Sequence, residues 1–151
     1  MEKRGIDGTA WALLFNRWIL GLMFLMPGFF KVFTEGPVRF AREAFVEGFQ
    51  ETWIPLWLLW GLGLLFPFLE LAAGLLVCLG WRVKEGLVVL GSILVIVTYG
   101  HLLEDPFLDM SGDIFPLLVL VVFLLMVPRD RDLLSVEGWL RRGFHPSESG
   151  S

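Results

Sequence analysis

The 151-residue chain is 56% hydrophobic and only 19% charged, with a formal net charge of −4 and a mean hydropathy of +0.70. Those values lie outside the range of ordinary soluble domains, predict an integral membrane protein and leave no room for a separate soluble catalytic domain. A single cysteine, Cys78, excludes an intrachain disulfide or a CxxC dithiol relay, and the acidic balance excludes nucleic acid as a partner.

Taken in chain order, the first predicted span covers 9–31, with Arg17 inside it and Lys31 at its end. Lys3 and Arg4 before an apolar run look like the start of a signal peptide. The run is longer than the roughly 7–15 residues of such a segment and no small-residue cleavage site follows, so a retained first span is expected. Next, Gly36 and Pro37 break the helix, and "VRFAREAFVEGFQ" repeats Val38, Ala41, Phe45 and Phe49 at helical spacing, with Arg39, Glu43 and Glu47 on another face. That pattern predicts an amphipathic interfacial helix between spans 1 and 2.

The second predicted span, 53–80, has Glu70 as its one charge and Pro67 inside, and the third covers 86–103. The fourth, 113–128, is opened by Asp113 and closed by Pro128, and is short against the roughly 20 residues a spanning helix needs. The expected fold is all-α, a four-helix transmembrane bundle within a 1–128 membrane domain, with 129–151 as a tail. Part of that tail, "RDRDLLSVEGWLRR", is expected to dock on the membrane surface, and "HPSESGS" reads as a disordered end.

Orientation follows from the basic residues. Lys3, Arg4, Arg82, Lys84, Arg129, Arg131, Arg141 and Arg142 fall on one side, against Lys31, Arg39 and Arg42 on the other. Both termini of a multi-pass protein of the cell membrane are therefore expected in the cytoplasm. The opposite side is acidic, with Glu35, Glu43, Glu47, Glu51, Glu104, Asp105, Asp109 and Asp113.

Charges inside apolar runs are costly and tend to be paired. At about 100° per residue, Arg17, Gly21, Phe24, Gly28 and Lys31 form one stripe, and Gly63, Phe66, Glu70, Gly74 and Val77 form another. Gly21, Gly28 and Gly74 are the expected helix-packing positions, because small residues let membrane helices approach closely. Counted from the predicted span ends, Arg17 lies about 10 Å deep and Glu70 about 15 Å, within reach of a long side chain. A buried Arg17–Glu70 pair is the result, serving either to fix helix register or to move protons and anchor a ligand.

A second predicted cluster, Lys31, Tyr99, His101, Glu104 and Asp113, gathers at the far side, expected either as an interfacial rim that anchors helix ends or as a site for a ligand headgroup. Only His101 and Glu104 are a histidine and an acid at helical spacing, so no metal site is expected. The other histidine, His145, lies in the tail, which leaves no facing pair for a haem. Trp53, Trp57, Trp60 and Trp81 fall near span ends, where tryptophan favours the membrane interface.

The spacing of Arg17, Gly21, Phe24, Gly28 and Lys31, followed by Glu70, Gly74, Gly80 and Arg82, resembles the DoxX family of small four-helix membrane proteins. The resemblance covers about residues 10–128. It implies a quinone-interacting or accessory subunit of a membrane oxidoreductase complex, with quinone as cofactor and a catalytic role, if any, shared with that complex. The rival expectation is a non-enzymatic membrane scaffold or assembly factor. Expected partners are the lipid bilayer and either other proteins of a membrane complex or further copies of this chain. A transporter is disfavoured, because four spans show no inverted repeat.

Overall fold

The computed structural model describes residues 8–105, 112, 114–128 and 131–143, the last three by backbone alone. All of the regular structure among them is helical. Helix α1, Gly8–Phe29, runs without interruption into a π-helical stretch, Phe30–Glu35. Gly36, at φ +88°, then turns the chain, and Pro37 opens the four-residue α2, Pro37–Phe40. Proline suits this place because its missing N–H would have had no partner in a first turn.

The segment that follows, Ala41–Glu47, is wound as a π-helix, which widens the helix by bonding each N–H one residue further back. The expected apolar stripe of this segment is split as a result. Ala41 is wholly buried, while Val38 is 59% exposed. A Cβ on Gly63 of the next helix would meet Ala41 at 2.7 Å, and the Phe45 ring stands edge-on to Phe66 at 5.2 Å. The segment therefore packs on its neighbouring helix.

Helix α3, Leu56–Leu79, is the centre of the molecule, in contact with α1, α4 and the segment 37–47. It ends in a Schellman motif: the Trp81 N–H donates to Leu76 O at 3.0 Å and the Gly80 N–H to Val77 O at 3.2 Å, with Gly80 left-handed at φ +71°. Glycine adopts that conformation without a Cβ penalty. Helix α4, Val83–Glu104, returns antiparallel, and α5, Ile114–Met126, packs on α4 and α1. A last helix, α6, Val136–Gly143, starts at Ser135, whose Oγ accepts from the Gly138 N–H at 3.0 Å. Serine is a preferred N-cap for this reason.

The core contains Leu20, Phe24, Phe66, Val77, Leu90 and Leu124, among others. Its complement is an apolar perimeter: Phe15, Ile19, Met23 and Met26 on α1 and Val88 and Val95 on α4 are all at least half exposed. A soluble monomer does not expose apolar surface on that scale. Three helices, Gly8–Glu35, Leu56–Leu79 and Val83–Glu104, are long and apolar enough to cross a bilayer. The chain is a membrane protein on these grounds. Helix α5, at 13 residues, extends about 20 Å, short of a hydrocarbon core of about 30 Å.

Candidate functional site: two buried charge pairs and a cavity

Antiparallel α1 and α3 touch backbone to backbone. A Cβ on Gly21 would lie 2.9 Å from Gly74 O, one on Gly28 2.6 Å from Leu71 N, and one on Gly74 2.7 Å from Leu25 N. This register puts Gly28 level with Glu70 and Arg17 level with Gly80, where a Cβ would collide with the guanidinium.

The expected Arg17–Glu70 pair is thereby corrected. Glu70 accepts two hydrogen bonds from Lys31 Nζ, at 2.9 Å to Oε1 and 2.7 Å to Oε2, and Arg17 makes an ion pair with Asp132, Nε to Oδ2 at 3.3 Å. The reason is directional. Side chains lean toward the N-terminus of their own helix. In α1 that carries Arg17 toward the chain termini, and in antiparallel α3 it carries Glu70 the opposite way. Lys31 leans back along α1 and meets Glu70 between them. Depth counted along the axis, as the sequence allowed, omits this divergence.

At the Arg17 end, the guanidinium, 1% exposed, also donates from Nη2 to Leu134 O at 2.8 Å. Ser135 Oγ donates to Asp132 O at 2.7 Å, and the Glu137 N–H donates to Gly80 O at 3.2 Å. Arg17 and the α3–α4 turn thus latch the segment that leads into α6, which the sequence had set apart as tail. Asp132, Leu134 and Ser135 went unrecognised as partners. The available signal was a serine cap at 135 ahead of "VEGWLRR", with an acid three residues before it.

At the other end, the Lys31–Glu70 pair forms part of the wall of a cavity of about 280 Å³, together with Phe40, Phe45, Phe49 and Phe66. The Lys31 ammonium stands 4.6 Å from the centre of the Phe40 ring, a cation–π contact added to its ion pair. The pair is not fully dry: the Lys31 side chain is 21% exposed and that of Glu70 8%. His101 and Glu104 line the same cavity. His101 Nδ1 lies 2.8 Å from Val97 O, a contact that fixes the ring against its own helix.

Of the predicted far-side cluster, Lys31, His101 and Glu104 share this cavity. Tyr99 instead lines an adjoining apolar groove of about 190 Å³, beside Trp53, Leu58 and Leu62. Asp113 lies outside the described residues, as do "HPSESGS" and Asp109. Among the described residues no three His, Cys, Asp or Glu side chains converge as metal ligands. The four phenylalanines were missed, because aromatic residues in an apolar sequence carry no mark that separates a cavity wall from packing.

The MauE family profile, described as methylamine utilisation protein MauE, matches residues 9–104. That region contains α1 to α4, the glycine contacts and the Lys31–Glu70 pair, while Asp132 and α6 lie beyond it. No curated protein and no solved structure matches the chain. MauE is a different membrane family from DoxX, so the resemblance drawn from glycine and charge spacing was mistaken, and the quinone-linked subunit it implied loses its support. The physical reason is that the spacing encodes close approach of α1 to α3, a packing need that unrelated membrane helices share. Since the match spans more than half of its length, the chain belongs to the MauE family.

Proposed function

We propose that this protein is an integral membrane accessory protein of methylamine utilisation, acting as a scaffold or assembly factor for a membrane complex. In this reading α5 is a short fourth span completing a four-helix bundle, and both termini face the cytoplasm. The supporting observation, beside the family, is how the charges within the apolar helices are used. Lys31 and Glu70 satisfy each other in a two-point contact across α1 and α3, and Arg17 holds the segment before α6. Both arrangements fix architecture, a role that buried ion pairs can have.

The test is growth of the native host on methylamine as sole nitrogen source. Deletion of the gene is expected to abolish that growth while leaving growth on ammonium unchanged. Complementation separates a scaffold from a proton relay: the paired replacement Lys31→Met with Glu70→Leu removes both charges but keeps the apolar volume, and is expected to restore growth. Unchanged growth of the deletion strain overturns the link to methylamine. Failure of the paired variant, with normal protein level in the membrane, overturns the scaffold.

A further inference from the structure

The cavity beside Lys31 and Glu70 and the apolar groove adjoin each other, with Phe45, Phe49, Ile96 and Gly100 lining both. The two parts differ in chemistry. The cavity has carboxylates and aromatic rings, whereas the groove is bounded by Trp53, Ile54, Leu58, Leu59, Leu62 and Tyr99 without a charged residue. Space with one polar end and one hydrocarbon end is matched by an amphiphile.

The polar end indicates the sign of the headgroup. Lys31 and Glu70 neutralise each other. Glu104 makes no ion pair among the described residues, so the cavity retains one negative charge. The site already shows which ligand suits it: the chain's own ammonium, on Lys31, is held between a carboxylate and the Phe40 ring. Glu104 and Phe49 supply a second carboxylate and a further ring to the lining of the same cavity. Carboxylates and aromatic faces together recognise ammonium groups.

The geometry points to a lipid site: one membrane lipid with an ammonium-bearing headgroup, its head between Glu104 and the Phe49 ring and one hydrocarbon chain in the groove beneath Trp53 and Tyr99. This goes beyond the reading above and does not depend on it, because lipid retention is measured without reference to methylamine. The sequence groups Tyr99 and Glu104 in the far-side cluster but does not join them to Phe49 or to the groove residues of α3.

Native mass spectrometry of the full-length protein, released from detergent with phosphatidylethanolamine or phosphatidylglycerol added at equal amounts, tests the proposal. One phosphatidylethanolamine per chain is expected, retained about fivefold over phosphatidylglycerol. Glu104→Gln, an exposed position, is expected to bring the two lipids level without loss of fold. Gly100→Leu should block the junction and release both, with thermal unfolding run alongside to show that the variant is folded. Equal retention of the two lipids by the natural protein overturns the headgroup assignment, and equal retention by natural protein and folded Gly100→Leu overturns the groove. Displacement of the bound lipid by methylammonium at matching concentration would show that the free ion suffices, and overturns the lipid site.

Discussion

The Lys31–Glu70 contact owes its geometry to two side chains that lean toward each other from antiparallel helices, and its strength to burial, with the Glu70 side chain 8% exposed. Removing one member leaves the other in a largely apolar place. Lys31→Met is therefore expected to lower stability by about 3 kcal/mol, whereas adding Glu70→Leu to it should recover most of that loss. Thermal unfolding of the purified protein in a mild detergent measures both, and equal destabilisation by single and paired variants would refute the argument. The sequence displayed all three ionic side chains of this region, Arg17, Lys31 and Glu70, and the stripes on which they stand. It withheld their pairing, because lean direction depends on helix register and Asp132 stood in a stretch read as tail. One long-range contact of 117 residues, Arg17 to Leu134, has no local signature.

At the level of helices, the glycines divide by what surrounds them. Gly74 abuts the α1 backbone, where a Cβ would lie 2.7 Å from Leu25 N, while nothing lies within 4 Å of a Cβ on Gly61 of the same helix. Backbone cannot shift aside as a flexible side chain can, so Gly74→Leu is expected to separate α1 from α3 and prevent a stable fold. Gly61→Ala should be neutral or gain up to about 1 kcal/mol from helix propensity alone. Detergent thermal melts distinguish them, and a tolerated Gly74→Leu would show that the close approach is dispensable. The long helices α1, α3 and α4 were legible because apolar length and flanking turn residues carry that signal. The π-helical segment Ala41–Glu47 was not, since it packs on Gly63 and Phe66 of the next helix and helical spacing assumed 3.6 residues per turn.

For the whole molecule, the ends differ in charge, and this bears on how it sits in the bilayer. Among the described residues the Arg17 end collects Arg82, Lys84 and Arg131, while the Lys31 end has Glu35, Glu43, Glu47, Glu51 and Glu104. The positive-inside rule then predicts that a reporter fused after Ser151 is active as a cytoplasmic fusion and silent as an exported one. The reverse pattern would invert the proposed topology and put the lipid site in the opposite leaflet. Composition alone made the membrane setting legible, since the apolar perimeter of α1 and α4 is what 56% hydrophobic residues must become in a chain too short to bury them. Family was not legible from the glycine and charge spacing, which reports how two helices touch.

The Arg17 latch also constrains how the protein is made. A ribosome adds roughly 5–20 residues per second, so the guanidinium emerges several seconds before Asp132 and Leu134 exist to receive it. Throughout that interval α1 must wait with its cation near the membrane edge, exposed to water or lipid phosphates. The bundle can be sealed at this end only after residues 132–135 have been added, so closure around Arg17 follows insertion of the helices that come before them.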